Sequence, residues 1–151
     1  MSFLGCSPNA GKQQIAPSPR VVQLQDYERF GIHLGGRVLA VYLADTDIKR
    51  QEGLMFVTSQ ELGENEGMFF VFPNAQIRRF WMKNTVIPLD IAYLDPDGVI
   101  VNILTMEPLD ESGYLSARPA QYALETGAGW FARNGVKPGD RVDLGRLKKS
   151  F

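Results

Sequence analysis

The chain has one cysteine, Cys6, and one histidine, His33, in 151 residues. A lone cysteine forms no internal disulfide and no thiolate metal cluster. A lone histidine excludes multi-histidine zinc or iron sites and the H-E-x-x-H motif. Neither a Gly-x-Ser-x-Gly elbow nor a Gly-x-x-x-x-Gly-Lys-Ser/Thr phosphate loop occurs. No apolar run approaches the roughly 20 residues of a membrane-spanning helix. Excess charge is also lacking: the formal net charge is -1, with no basic stripe, which argues against nucleic acid as a partner. These absences remove several enzyme classes at once, and neither a metal nor a cofactor is expected.

What is present describes a folded domain rich in turns. A hydrophobic share of 44% and a charged share of 22% are those of a soluble globular protein. Fifteen glycines and nine prolines favour short strands over long helices. The expected fold is mainly β with a minor α part, a small barrel or sandwich of about seven short strands and two short helices. A wholly parallel α/β sheet would need longer crossover helices. Residues 1–25 read as a flexible tether and 26–151 as a single β-rich domain.

The tether carries Phe3-Leu4-Gly5-Cys6-Ser7, which resembles the end of a bacterial lipoprotein signal, where a small residue precedes the lipidated cysteine. Cys6 is therefore a candidate lipidation site, and the expected location is periplasmic or anchored in the bacterial envelope through one acyl-bearing residue. The alternative is a free cysteine in a polar tail.

Local signals place the elements. Gly36–Leu43 is strand-like, Asp45-Thr46 offers an N-cap for a short helix through Gln51, and Gly53 ends it. Met68–Phe72 reads as a buried strand ending at Pro73. Phe80–Thr85 reads as a strand with mixed faces, Phe80, Met82 and Asn84 on one side and Trp81, Lys83 and Thr85 on the other. Asp95-Pro96-Asp97-Gly98 is a turn between Leu89–Leu94 and Val99–Leu104. Residues 107–119 form a long loop. A strand at Gln121–Glu125, a short helix carrying Trp130 and Phe131, a turn at Lys137–Asp140 and a last strand at Arg141–Leu144 follow.

The order of Arg50-Gln51-Glu52-Gly53-Leu54-Met55, Gly67-Met68-Phe69-Phe70-Val71-Phe72 and Phe80-Trp81-Met82-Lys83-Asn84-Thr85 with Ile87-Pro88-Leu89-Asp90-Ile91 is distinctive. It continues with Asp97-Gly98, Leu124-Glu125, Gly129-Trp130 and Gly135–Asp140. This pattern resembles the bacterial and archaeal domain of unknown function 192 over residues 36–145, and the Trp-Met-Lys-Asn-Thr block is its most specific part. The resemblance implies one compact β-rich domain, often exported, with no established activity. The sequence departs from it at Val57, where many relatives carry arginine, which leaves a cation's role there unsupported.

Three constellations bear on function. Trp81, Lys83, Asn84, Thr85 and Asp90, joined by Arg50 and Glu125, supply an aromatic face and fixed polar groups of the kind a sugar-like ligand needs. Set against this, Asn84 and Thr85 also suit a turn, with Lys83 in solvent and Trp81 packed. Met55, Met68 and Met82 offer soft copper(I) ligands, but their apolar neighbours suit core packing better. Asp90 and Glu125 are the most plausible carboxylate pair for a hydrolase. His33 reads as a surface residue. The leading expectation is a non-catalytic envelope protein that binds a small polar, carbohydrate-like ligand. The alternatives are an interaction or structural module with an unidentified protein partner, using Trp130, Phe131 and Phe56 as a surface patch, and a carboxylate-based hydrolase.

Overall fold

Turns marked by glycine, proline and Asx residues cut the chain into short extended segments, and the computed structural model, which describes residues 19–145, shows how these pair. The order is β1 (Arg29–Leu34), β2 (Arg37–Ala44), α1 (Asp47–Glu52), β3 (Glu66–Gln76), β4 (Arg79–Phe80), β5 (Leu89–Leu94), β6 (Ile100–Met106), β7 (Tyr114–Leu115), β8 (Ala120–Gly127) and α2 (Trp130–Arg133). A 3-10 turn at Leu24–Asp26 precedes them. The fold is mainly β.

Six strands form one sheet in the order β1-β2-β3-β8-β5-β6, and β4 pairs with β7 in a separate ribbon. All neighbours in the large sheet are antiparallel except β2 and β3. The crossover between that parallel pair carries α1, whose N-cap Thr46 accepts from the Lys49 amide. At its other end Gly53 takes a positive φ of 48°, a conformation that costs a side-chain-bearing residue more. The anticipated barrel is not closed: β1 bonds only to β2 and β6 only to β5, so both edges stay open.

Both faces of the sheet are covered. Leu39, Val41, Phe69, Leu94, Leu124 and the α2 residues Trp130 and Phe131 pack on one face. Met68, Phe70, Ile91, Tyr93, Leu54, Val57 and Met82 pack on the other. A strand buried on both sides loses the polar-apolar alternation, which is why Met68–Val71 and Ile91–Leu94 are unbroken apolar runs. Gly67 is required by the close approach of β3 to β8, since a Cβ there would collide with the Glu125 carbonyl oxygen.

Several local expectations change. Residues from Arg20 onward are docked rather than tethered. The Arg20 guanidinium donates to the carbonyls of Gly53 (2.8 Å) and Met55 (2.7 Å) and lies 3.4 Å from the Glu52 carboxylate. A buried cation is tolerated because carbonyls and a carboxylate replace its water. Cys6 and the rest of the expected tether lie outside the described residues. Of the 80–85 region only Phe80 forms strand, as the second residue of β4. The final strand at Arg141–Leu144 reduces to a single bridge, Val99 to Arg141. Strands β1 and β7 were not anticipated.

Candidate functional site

Alternation along β8 decides the centre of the site. Tyr122 and Leu124 point to the α2 face, so Glu125 points to the opposite one. Its cross-strand neighbours are Met68 on β3 and Ile91 on β5, both wholly buried. Glu125 is itself only 4% exposed, and its carboxyl has no hydrogen bond among the described residues. With apolar side chains on both flanks, burial pushes its pKa up to about 8. At neutral pH the group is largely a neutral carboxylic acid, able to donate and accept.

Glu125 lines a cleft of about 480 Å³, within the range of about 300 to 1,000 Å³ usual for small-molecule sites. Three segments build it. Helix α1 and the chain after it contribute Arg50, Glu52, Leu54 and Met55. The outer half of β3 contributes Phe70, Phe72 and Asn74, and the entry to β4 contributes Arg78, Arg79, Phe80 and Trp81. The β3–β8 ladder shifts register between Val71 and Gln76. Pro73, which lacks a backbone donor, lies in this irregular stretch and lines the cleft.

The wall is aromatic. The Phe80 ring meets Phe70 edge-on at 4.9 Å, Tyr93 at 5.7 Å and Phe72 at 6.2 Å. Such T-shaped pairs each contribute about 0.5–1.5 kcal/mol beyond burial, which favours a preformed wall. Phe72 in turn carries two cations, with the Arg78 guanidinium 4.0 Å and that of Arg50 5.6 Å from its ring centre. Trp81 lies at the cleft edge, 44% exposed.

Of the seven expected ligand residues, Arg50, Trp81, Thr85 and Glu125 line this cleft. Lys83, Asn84 and Asp90 do not. The ammonium of Lys83 sits 5.1 Å over the outer indole of Trp81. Asn84 adopts a positive φ of 55°, and its carbonyl accepts from the Phe56 amide at 2.8 Å. The Thr85 amide donates to the Met82 carbonyl at 3.1 Å and its hydroxyl to the Lys83 carbonyl at 3.2 Å. The stretch 82–85 is therefore a turn, and its polar side chains were there partly to shape backbone.

Asp90 is on the wrong face. Its neighbours Leu89 and Ile91 face the cleft side, so its carboxylate points the other way and accepts from the Thr105 hydroxyl and the Gly129 amide, each at 2.8 Å. The Asp90–Glu125 catalytic pair is thereby ruled out by the sheet itself. The two other acids of the cleft are committed elsewhere: Glu52 accepts from the Val21 and Val22 amides, and Asp47 from Arg50. Asp90→Ala leaves two donors without an acceptor. We expect it to lower stability by roughly 1–3 kcal/mol in urea unfolding.

The expected surface cluster of Trp130, Phe131 and Phe56 does not form, since only Phe56 is partly exposed. Trp130 and Phe131 are 0% and 1% exposed, and the Trp130 indole N–H donates to Asn65 Oδ1 at 3.1 Å. They anchor α2 to the sheet. Met68 and Met82 are wholly buried in the apolar cluster, and only Met55 lines the cleft. His33 is exposed on β1. Sequence reasoning missed Arg78, Arg79 and the role of Phe72. The available signal was the cation pair Arg78-Arg79 directly before Phe80-Trp81.

The chain is 28% identical to the UPF0127 protein PF1050 of Pyrococcus furiosus over 114 residues, 72% of this chain and 90% of that one. A crystal structure of a protein of unknown function from Novosphingobium aromaticivorans superposes with a TM-score of 0.74 at 38% identity, covering 85% of this chain and 94% of that one. A second, from Sinorhizobium meliloti and described as a candidate transcription regulator, gives 0.71 at 36% identity, covering 78% and 94%. Residues 31–144 match the model of DUF192, described as an uncharacterized ACR, and the chain belongs to that family.

Proposed function

We propose that this protein is a non-catalytic binding protein whose cleft takes a small polar ligand with an apolar face, of carbohydrate-like character. The observation that carries this reading is Glu125, a buried carboxyl with no hydrogen-bond partner among the described residues, facing a cleft of about 480 Å³. A polar group left unpaired in an apolar site costs about 1–3 kcal/mol, and a ligand hydroxyl would remove that cost. Phe72, Phe80 and Trp81 supply flat faces for C–H surfaces. The absence of a second uncommitted acid near Glu125 among the described residues favours binding over hydrolysis.

A thermal-shift series over hexoses, sugar acids, sugar phosphates and other small organic acids tests the reading. A ligand that binds only the folded state raises the melting temperature by linkage. We expect a saturable rise with at least one sugar class that is lost in Trp81→Ala and Phe72→Ala, with both variants still folded by circular dichroism. A rise unaffected by both substitutions would place the ligand elsewhere. The envelope location belongs to the same proposal and rests on the sequence around Cys6.

A further inference from the structure

The charges around the cleft do not cancel. Arg50 is paired with Asp47 at 2.6 Å and Glu52 with Arg20 at 3.4 Å. Arg78 and Arg79 also line the cleft, and neither has a carboxylate partner among the described residues. Their bonds go to backbone carbonyls and one side-chain amide: Arg78 to Ala120 at 3.1 Å and to the main chain and side chain of Asn74, Arg79 to Ser112 at 2.8 Å. Such bonds orient a guanidinium without neutralising it.

Arg78 and Arg50 approach the same ring, Phe72. Burial, and then the Arg50 charge, lower the proton affinity of Arg78, the direction expected when like charges meet with too little water or counter-charge. Arg78 Nη1 donates no hydrogen bond among the described residues, and the Asp47 carboxylate that holds Arg50 is 91% exposed, so that pair competes with water. An anion entering beside Phe72 would meet the unassigned Nη1 of Arg78, while Arg50, whose Nη1 donates to the Val71 carbonyl at 2.8 Å and Nη2 to Asp47, adds its positive charge. Glu125, flanked by Met68 and Ile91 rather than by a cation, presents its carboxyl from the sheet floor.

We propose that the ligand carries an anionic oxygen group, a carboxylate or a phosphate, held by Arg78 and Arg50 beside Phe72, with its hydroxyl-bearing part against Glu125. This rests on the binding reading above and narrows it to sugar acids, hydroxy acids or sugar phosphates. An amine-bearing or neutral ligand would leave Arg78 without a counter-charge among the described residues.

Titration calorimetry on the full chain at pH 7 and low salt, with glucose, glucuronate and glucose 6-phosphate as probes, tests the inference. We expect one or both anionic probes to bind roughly tenfold or more tightly than glucose. The preference for the anionic probes over glucose should shrink in added sodium chloride and disappear in Arg78→Gln. Preference for glucuronate alone assigns the group as carboxylate, and preference for glucose 6-phosphate alone as phosphate. Arg50→Gln carries the same expectation and serves if Arg78→Gln does not fold. Equal binding of glucose and both anions would overturn the anionic group and leave the binding reading standing. Absence of heat with all three probes would overturn both.

Discussion

Glu125→Gln makes the protein more stable than the wild type at pH 8 and nearly equal to it at pH 4. The Glu125 carboxyl is displaced by burial from its ordinary 4.5 to about 8 in the folded state. Between those values the folded protein holds a proton that the unfolded chain has released. Stability therefore falls as pH rises through this window: the penalty is absent below about 4.5 and complete above about 8. At 1.36 kcal/mol per unit the displacement corresponds to roughly 5 kcal/mol. Glutamine fits the same space and does not titrate. Urea midpoints of both proteins across pH 4 to 9 isolate this one group, because every other titration is common to both. Parallel curves would show that Glu125 ionises normally, and the neutral-acid picture of the cleft would fall with them. The result matters for function because only a desolvated, uncompensated carboxyl is free to serve a ligand.

Trp130→Ala, in contrast, should damage the fold on the far side of the sheet without touching the cleft. Its ring is wholly buried, meets Phe131 edge-on at 5.6 Å and ties the chain before β3 through Asn65. Truncating such a residue costs about 3–5 kcal/mol through lost burial and the cavity left behind. For a domain of this size that is a fall on the order of 10 °C in melting temperature. The anticipated interaction patch makes the opposite forecast, lost partner binding at unchanged stability. Differential scanning calorimetry separates the two, and a melting temperature within a degree of wild type would restore Trp130 as a surface residue.

Much of the local structure was readable. Thr46 and Gly53 bracket α1 as their side-chain chemistry requires. Asp95 holds its own turn, accepting from the Asp97 amide at 2.9 Å and the Val99 amide at 3.0 Å, an Asx geometry visible in the sequence. The misreading at Phe80–Thr85 has a physical cause. Mixed polarity there matches two faces of a strand, whereas Asn84 in a left-handed conformation turns the chain. Met82 and Thr85 then point inward and Trp81 outward. The arginines were missed for a different reason. Arg78 and Arg79 look like ordinary surface cations until β4 pairs with β7 and β3 departs from β8.

Asp90 and Glu125 show where local reading stops. Each sits in an apolar strand, and as text they are equivalent. Their roles separate only because Ile91, not Asp90, lies beside Glu125 in the β5–β8 register. Slipping that pairing by one residue would exchange the faces.

By itself the sequence determined the mainly β composition, the Asp95–Gly98 turn, the limits of α1 and the family, since these follow from the identities of a few adjacent residues. The tertiary structure alone decided which polar groups share a site. Arg50, the Arg78–Trp81 segment and Glu125 are far apart along the chain and meet only through the strand order β3-β8-β5 and the register within it. Burial, which sets the protonation of Glu125, is a property of that assembly, and no local segment carries it.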